Sequence, residues 1–226
     1  MTRCIVYWLL IICPAYLCPA QMPTLPIPET YTRPLITDQG NEVWGVYIRA
    51  NEPETPHRHS GGVLFAKPQP ILVNYLNGEQ YFSDRVGDLL EDIPLPQADW
   101  HYGTAPLGYQ AVFIELKTRA ETQASSLQWF QKPDHLKKSS SGSGCTIMTI
   151  EKSEATFQTG NSEAFLVADS AIQLSVMVDG RFEAIEPLPD LPHYVYYLSS
   201  NLHCRLSANT KTEAFLLECS VTKVLE

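Results

Sequence analysis

Pro56-His57-Arg58-His59 is followed further along the chain by Pro96-Gln97-Ala98-Asp99-Trp100-His101. Side chains alternate along an extended segment, so two His separated by one residue point to the same face of a strand. Neutral imidazole is a ligand for first-row transition metals. A third His from a neighbouring strand would complete a facial set with positions left open. His57, His59 and His101 are therefore the candidate metal ligands. The alternative is a solvated strand on which His57 and His59 sit beside Glu52 and Glu54 with no ion; the third His favours metal.

Outward from these segments the chain reads as strands. Short runs of β-branched, aromatic and aliphatic residues cover Val43 to Ile48, Val63 to Phe65, Ile71 to Leu76 and Gln110 to Leu116. Turn signals separate them, including Asn77-Gly78, Asp84 with Gly87, and Tyr102-Gly103. A second block from Cys145 to Glu226 carries Thr146 to Ile150, Phe165 to Val167, Ile172 to Val178, Tyr194 to Leu198 and Ala214 to Cys219. Many short strands at regular spacing imply an all-β sandwich or barrel. Between Thr118 and Lys138 the apolar spacing changes, with Ala120, Leu127, Trp129, Phe130 and Leu136 among polar residues, which suggests a helix that Pro133 ends or interrupts. Ser139-Ser140-Ser141-Gly142-Ser143-Gly144 then reads as a flexible linker.

The start of the chain has a different character. Arg3 precedes the apolar run Cys4 to Cys13, and Cys18-Pro19-Ala20 precedes the polar Gln21. The run is shorter than the ~20 residues that span a bilayer, and small residues near Ala20 suit a cleavage site, so residues 1–20 read as a secretory signal peptide. Periplasmic or secreted localisation follows, with no membrane attachment after signal removal. Pro23, Pro26, Pro28 and Pro34 make residues 21–42 an extended N-terminal arm laid over the fold.

A formal net charge of -9 and a pI near 5.1 exclude nucleic acid as a partner, because counterion release needs clustered Lys and Arg. Cys145, Cys204 and Cys219 remain once the signal is removed, so an oxidising compartment permits one disulfide and leaves one thiol over.

One shift lays the first block over the second. Leu64 falls on Leu166, Ala66 on Ala168, Leu72 on Leu174, Asn77-Gly78 on Asp179-Gly180, and His101 on His203. One inserted residue after His101 brings Ala111 to Glu115 onto Ala214 to Glu218. In this register His57 and His59 meet Thr159 and Asn161, so the second copy holds one imidazole of three and is expected to be metal-free.

Together these residues resemble the cupin superfamily, whose first motif carries H-x-H and whose second carries P-x-G-x-x-H. Here the matches are His57 and His59, then Pro96-x-Ala98-x-x-His101 with Ala in place of Gly. Thr55 to His59 and Phe113 to Lys117 are similar to small bacterial cupin-barrel proteins with no settled activity. The resemblance implies two cupin-type barrels (double-stranded β-helix, or jelly-roll) in tandem. The expected organisation is a metal-binding barrel over 43–118, a short helix and Ser/Gly linker over 119–144, and a degenerate barrel without metal over 145–226. The chain departs from the motif at the family's Glu ligand, where Val63 or Leu64 stands, and in a longer connection that includes Lys67-Pro68-Gln69-Pro70.

Three imidazoles would leave positions open on one divalent transition metal ion: Fe, Mn, Ni, Cu or Zn, since affinity order alone does not choose. An Fe centre suits oxidative cleavage of a chelating small organic molecule, and a Zn or Mn centre suits Lewis-acid isomerisation. The alternative is a non-catalytic module that binds or senses a small ligand or metal. No catalytic acid or base stands out. Glu115 lies either inside the barrel near the metal or outside it paired with Lys117, the outside being favoured, and Trp44, Trp100 and Tyr102 belong to the core or line a pocket. An exposed barrel edge would support pairing of two copies into a homodimer.

Overall fold

The computed structural model describes residues 31–57, 62–66, 70–83, 89–93, 100–116, 127–138, 145–150 and 154–219. The signal-peptide reading and His59 lie outside those residues. The described chain is all-β, with 18 strands in four antiparallel sheets.

One sheet joins β1 (Tyr31–Ile36), β2 (Glu42–Ile48), β8 (Tyr109–Glu115), β3 (Gly62–Ala66) and β6 (Leu89–Ile93) in that order, and β5 (Gln80–Ser83), β4 (Ile71–Tyr75) and β7 (His101–Thr104) form the sheet across from it. The second half repeats the plan. There β10 (His135–Lys138), β11 (Cys145–Ile150), β18 (Thr212–Cys219), β13 (Glu163–Ala168) and β16 (Tyr194–Leu198) face β15 (Arg181–Ile185), β14 (Gln173–Val178), β17 (His203–Ser207), β12 (Glu154–Gln158) and β9 (Gln128–Gln131).

Alternation along the strands sorts the apolar residues into three cores. Trp44, Val46, Ile48, Ala66, Ile71, Ala105, Ala111 and Phe113 fill the first barrel, and Ala164, Leu166, Ala168, Leu174, Cys204, Leu206, Ala214 and Leu216 fill the second. The opposite faces of the same strands meet each other: Val63, Phe65, Val112 and Ile114 pack on Phe165, Val167, Phe215 and Leu217. Phe65 and Phe215 touch with ring centres 5.4 Å apart. This third core explains why β13 and β18 read as unbroken apolar runs, since both of their faces are covered. Asn41 Nδ2 and Tyr197 OH close the rim by donating to the Glu163 carboxylate, each at 3.1 Å.

Two expectations are corrected here. The helix of 119–144 is absent from its described part, where Gln128–Gln131 and His135–Lys138 are strands that extend the second barrel. Tertiary pairing overrides the helical spacing: Trp129 packs on Phe157 with ring centres 5.2 Å apart, so its apolar surface is spent on the β12 edge. Cys204 and Cys219 are both buried and free. They cannot pair with each other, because Cys204 faces the second barrel's interior and Cys219 faces the core between the barrels.

Candidate metal centre

The described part of the site is built where the segment after β2 crosses β7. Pro53 pairs with Thr104, and His57 pairs with His101. Four steps of chain on one side oppose three on the other, which is a β-bulge. Without it Pro53 and His57 would share a face; with it Pro53 stays exposed while His57 turns inward. His101 lies on the same face of β7 as Gly103, whose neighbours are the core side chains of Ile71 and Ile48. Both imidazoles are buried.

Their ring centres are 4.7 Å apart at a tilt of 56°. Metal–nitrogen bonds of about 2.0 Å hold the centres of two adjacent imidazole ligands roughly 4.5–5 Å apart, so the pair fits a shared ion. His57 Nδ1 lies 2.9 Å from the Thr55 carbonyl, which can only accept. The ring proton is therefore on Nδ1, and Nε2 is the nitrogen left to bind; such an outer hydrogen bond is the usual way a ligating His is oriented. Leu64, one of the two residues at the family's Glu position, packs against the first barrel's core, so no carboxylate arrives from β3. Among the described residues no three His, Cys, Asp or Glu side chains converge; His59 is not among them.

Two residues outside the expected ligand set, Glu54 and Tyr31, complete the described site. Glu54 Oε2 accepts the Gly103 backbone N–H at 2.5 Å, and Tyr31 donates its hydroxyl to Glu54 Oε1. The Tyr31 oxygen also stands 3.2 Å from His57 Nε2. Burial, then the Glu54 charge, hold the Tyr31 phenol well above its ordinary pKa. A Cβ at Gly103 would sit 2.6 Å from Glu54 Oε2, so glycine is what lets the carboxylate reach the backbone. Tyr75 adds a ring 5.6 Å from that of His101. Tyr31 stands in a Pro-rich arm with no periodic signal, and in the sequence Glu54 figures only in the alternative of a solvated strand.

Glu115 is not opposed to the barrel as expected. It shares the face of Ala111 and Phe113, which line the first barrel, and it pairs with Glu42 at the end of β8 remote from the imidazoles. Trp44 belongs to the core, with the Arg33 guanidinium 5.0 Å above its ring.

The second barrel differs from the expected register. Interior positions Ala105 and Ala111 correspond to Ala208 and Ala214, so the inserted residue precedes β17 and the counterpart of His101 is Cys204, not His203. Cys204 pairs with Phe157 as His101 pairs with His57. Both are fully buried. His203 points the other way, against Phe130 and Phe182 at 4.8 and 5.3 Å. At these two positions the second barrel therefore has an apolar pair where the first has imidazoles.

No family model and no curated protein matches the sequence. Solved structures do match the fold. AerE from Microcystis aeruginosa aligns with 13% identity and a TM-score of 0.54 over 86% of this chain and 98% of its own. YlbA from E. coli aligns with 10% identity and a TM-score of 0.52 over 88% of each chain. A variant of salicylate 1,2-dioxygenase from Pseudoaminobacter salicylatoxidans aligns with 10% identity and a TM-score of 0.50 over 79% of this chain and 71% of its own. At these identities the likeness is one of fold, an antiparallel β-barrel architecture.

Proposed function

We propose that this protein is a bicupin that holds one divalent transition metal ion through His57, His59 and His101 in its first barrel and acts there on a small chelating organic molecule, as a dioxygenase or an isomerase. The observation that carries the reading is the inward, buried pair of His57 and His101 with Nδ1 of His57 already committed to the Thr55 carbonyl. When bound, the ion would supply Lewis acidity and open positions for substrate oxygens. The chain's own residues would exclude water and orient the ligand: Ile48, Ile71 and Ala105 wall the interior, and the Tyr31–Glu54 pair offers a hydroxyl and a carboxylate beside His57. The dioxygenase among the structures of this fold supports the oxidative choice by fold alone.

Elemental analysis of tag-free protein, followed by dioxygen uptake with hydroxy-aromatic and enolic acids, tests the proposal. One equivalent of Fe with uptake supports the oxygenase, and a redox-inert metal with no uptake leaves the isomerase or a non-catalytic binding module. We propose further that residues 1–20 direct export; N-terminal sequencing of the mature protein should find Gln21 first.

A further inference from the structure

We infer that Tyr31, delivered by the N-terminal strand β1, is a further protein ligand of the metal, filling the place that the absent cupin Glu leaves; this rests on the metal reading proposed above. The phenol proton is donated to Glu54 and the His57 ring proton is donated to Thr55. Lone pairs of Tyr31 Oη and His57 Nε2 therefore face each other at 3.2 Å, with a carboxylate behind the oxygen. Two lone pairs in that relation repel unless a cation lies beside them, either a proton or a metal ion. Two donors bound at about 2.0 Å to one ion are roughly 2.8–3.3 Å apart at octahedral to tetrahedral angles, and the observed separation falls in that interval. Glu54 stands one layer back, held by Gly103 and Tyr31, where it would take the proton that the phenol gives up to a bound ion and orient the phenolate as outer-shell carboxylates orient ligating groups.

The test uses the full mature chain, stripped of metal and titrated with ferric iron from a weak chelator. Iron content and visible absorption are read together, because a tyrosine bound to ferric iron gives a charge-transfer band that histidine ligands do not. The wild type should bind one iron and show the band. Tyr31→Phe should still bind iron, on the order of 10–100-fold more weakly, and lose the band, while Tyr75→Phe should keep it. Glu54→Gln serves as a second variant that leaves the ring in place, and it should shift the band. Iron bound by the wild type without the band, or a band that survives Tyr31→Phe, overturns the tyrosine assignment and leaves the metal reading standing. A wild type that binds neither iron nor Mn, Ni, Cu or Zn in parallel titrations, or undiminished metal in His57→Ala, overturns the metal reading and this inference with it.

Discussion

His57 and His101 are reciprocal backbone partners: each donates its N–H to the other's carbonyl, at 2.8 and 2.9 Å. The same pairing that joins the two segments sets the two rings on one inward face. Site and fold are thus one hydrogen-bonded unit, and disturbing the strand register would separate the rings by moving one of them to the outer surface.

His57→Ala and His101→Ala should each remove the metal while the fold survives, as read by elemental analysis beside circular dichroism. His203→Ala should leave metal content unchanged, because that ring packs on Phe130 and Phe182 outside the second barrel. Ligating imidazole must be neutral, so metal should dissociate on acidification. Metal loss in the His203 variant would disprove the assignment of the second barrel.

Gly103→Ala places a methyl 2.6 Å from Glu54 Oε2 and 2.9 Å from Ile71 Cδ1. Overpacking of this kind costs about 1–3 kcal/mol, and the carboxylate must leave the Gly103 N–H. Urea unfolding should register the loss, and metal affinity should drop with it. Wild-type values for both would mean that Glu54 has no part in the site.

The core between the barrels should behave as one of the protein's main cohesive elements. Phe165 is fully buried there against residues of both halves. Phe165→Ala should lower stability by about 3–5 kcal/mol, the range for a phenylalanine cavity. Separate unfolding transitions in the variant, where the wild type has one, would show that this face couples the halves.

Burial pushes the Cys204 thiol up to about 12. The folded state therefore retains its proton at pH values where the unfolded chain has released it. Stability contributed by this thiol is complete below the ordinary thiol range and is lost as pH rises towards 12. Denaturant midpoints should fall over that interval, less so in Cys204→Ala after its own cavity cost is subtracted. Native protein at pH 8 should leave Cys204 and Cys219 unmodified by a thiol reagent; rapid labelling of Cys204 would refute its burial.

The amino-acid sequence by itself determined the all-β class, the duplicated plan and the imidazoles worth watching, because strand alternation, turn residues and H-x-H spacing are local properties. Strands buried on both faces, such as Phe165 to Val167, were legible as strands, but which neighbour each face met was not. Tertiary structure alone decided the rest. Trp129 and Phe130 became an edge strand because a partner strand was present, which their helical spacing could not reveal. Tyr31 and Glu54 reached His57 through contacts across the fold, and Cys204 rather than His203 took the inward position. The physical reason is that a strand's period is two: a single residue of bulge or insertion, fixed only by long-range pairing, exchanges the face that lines the barrel for the face that leaves it.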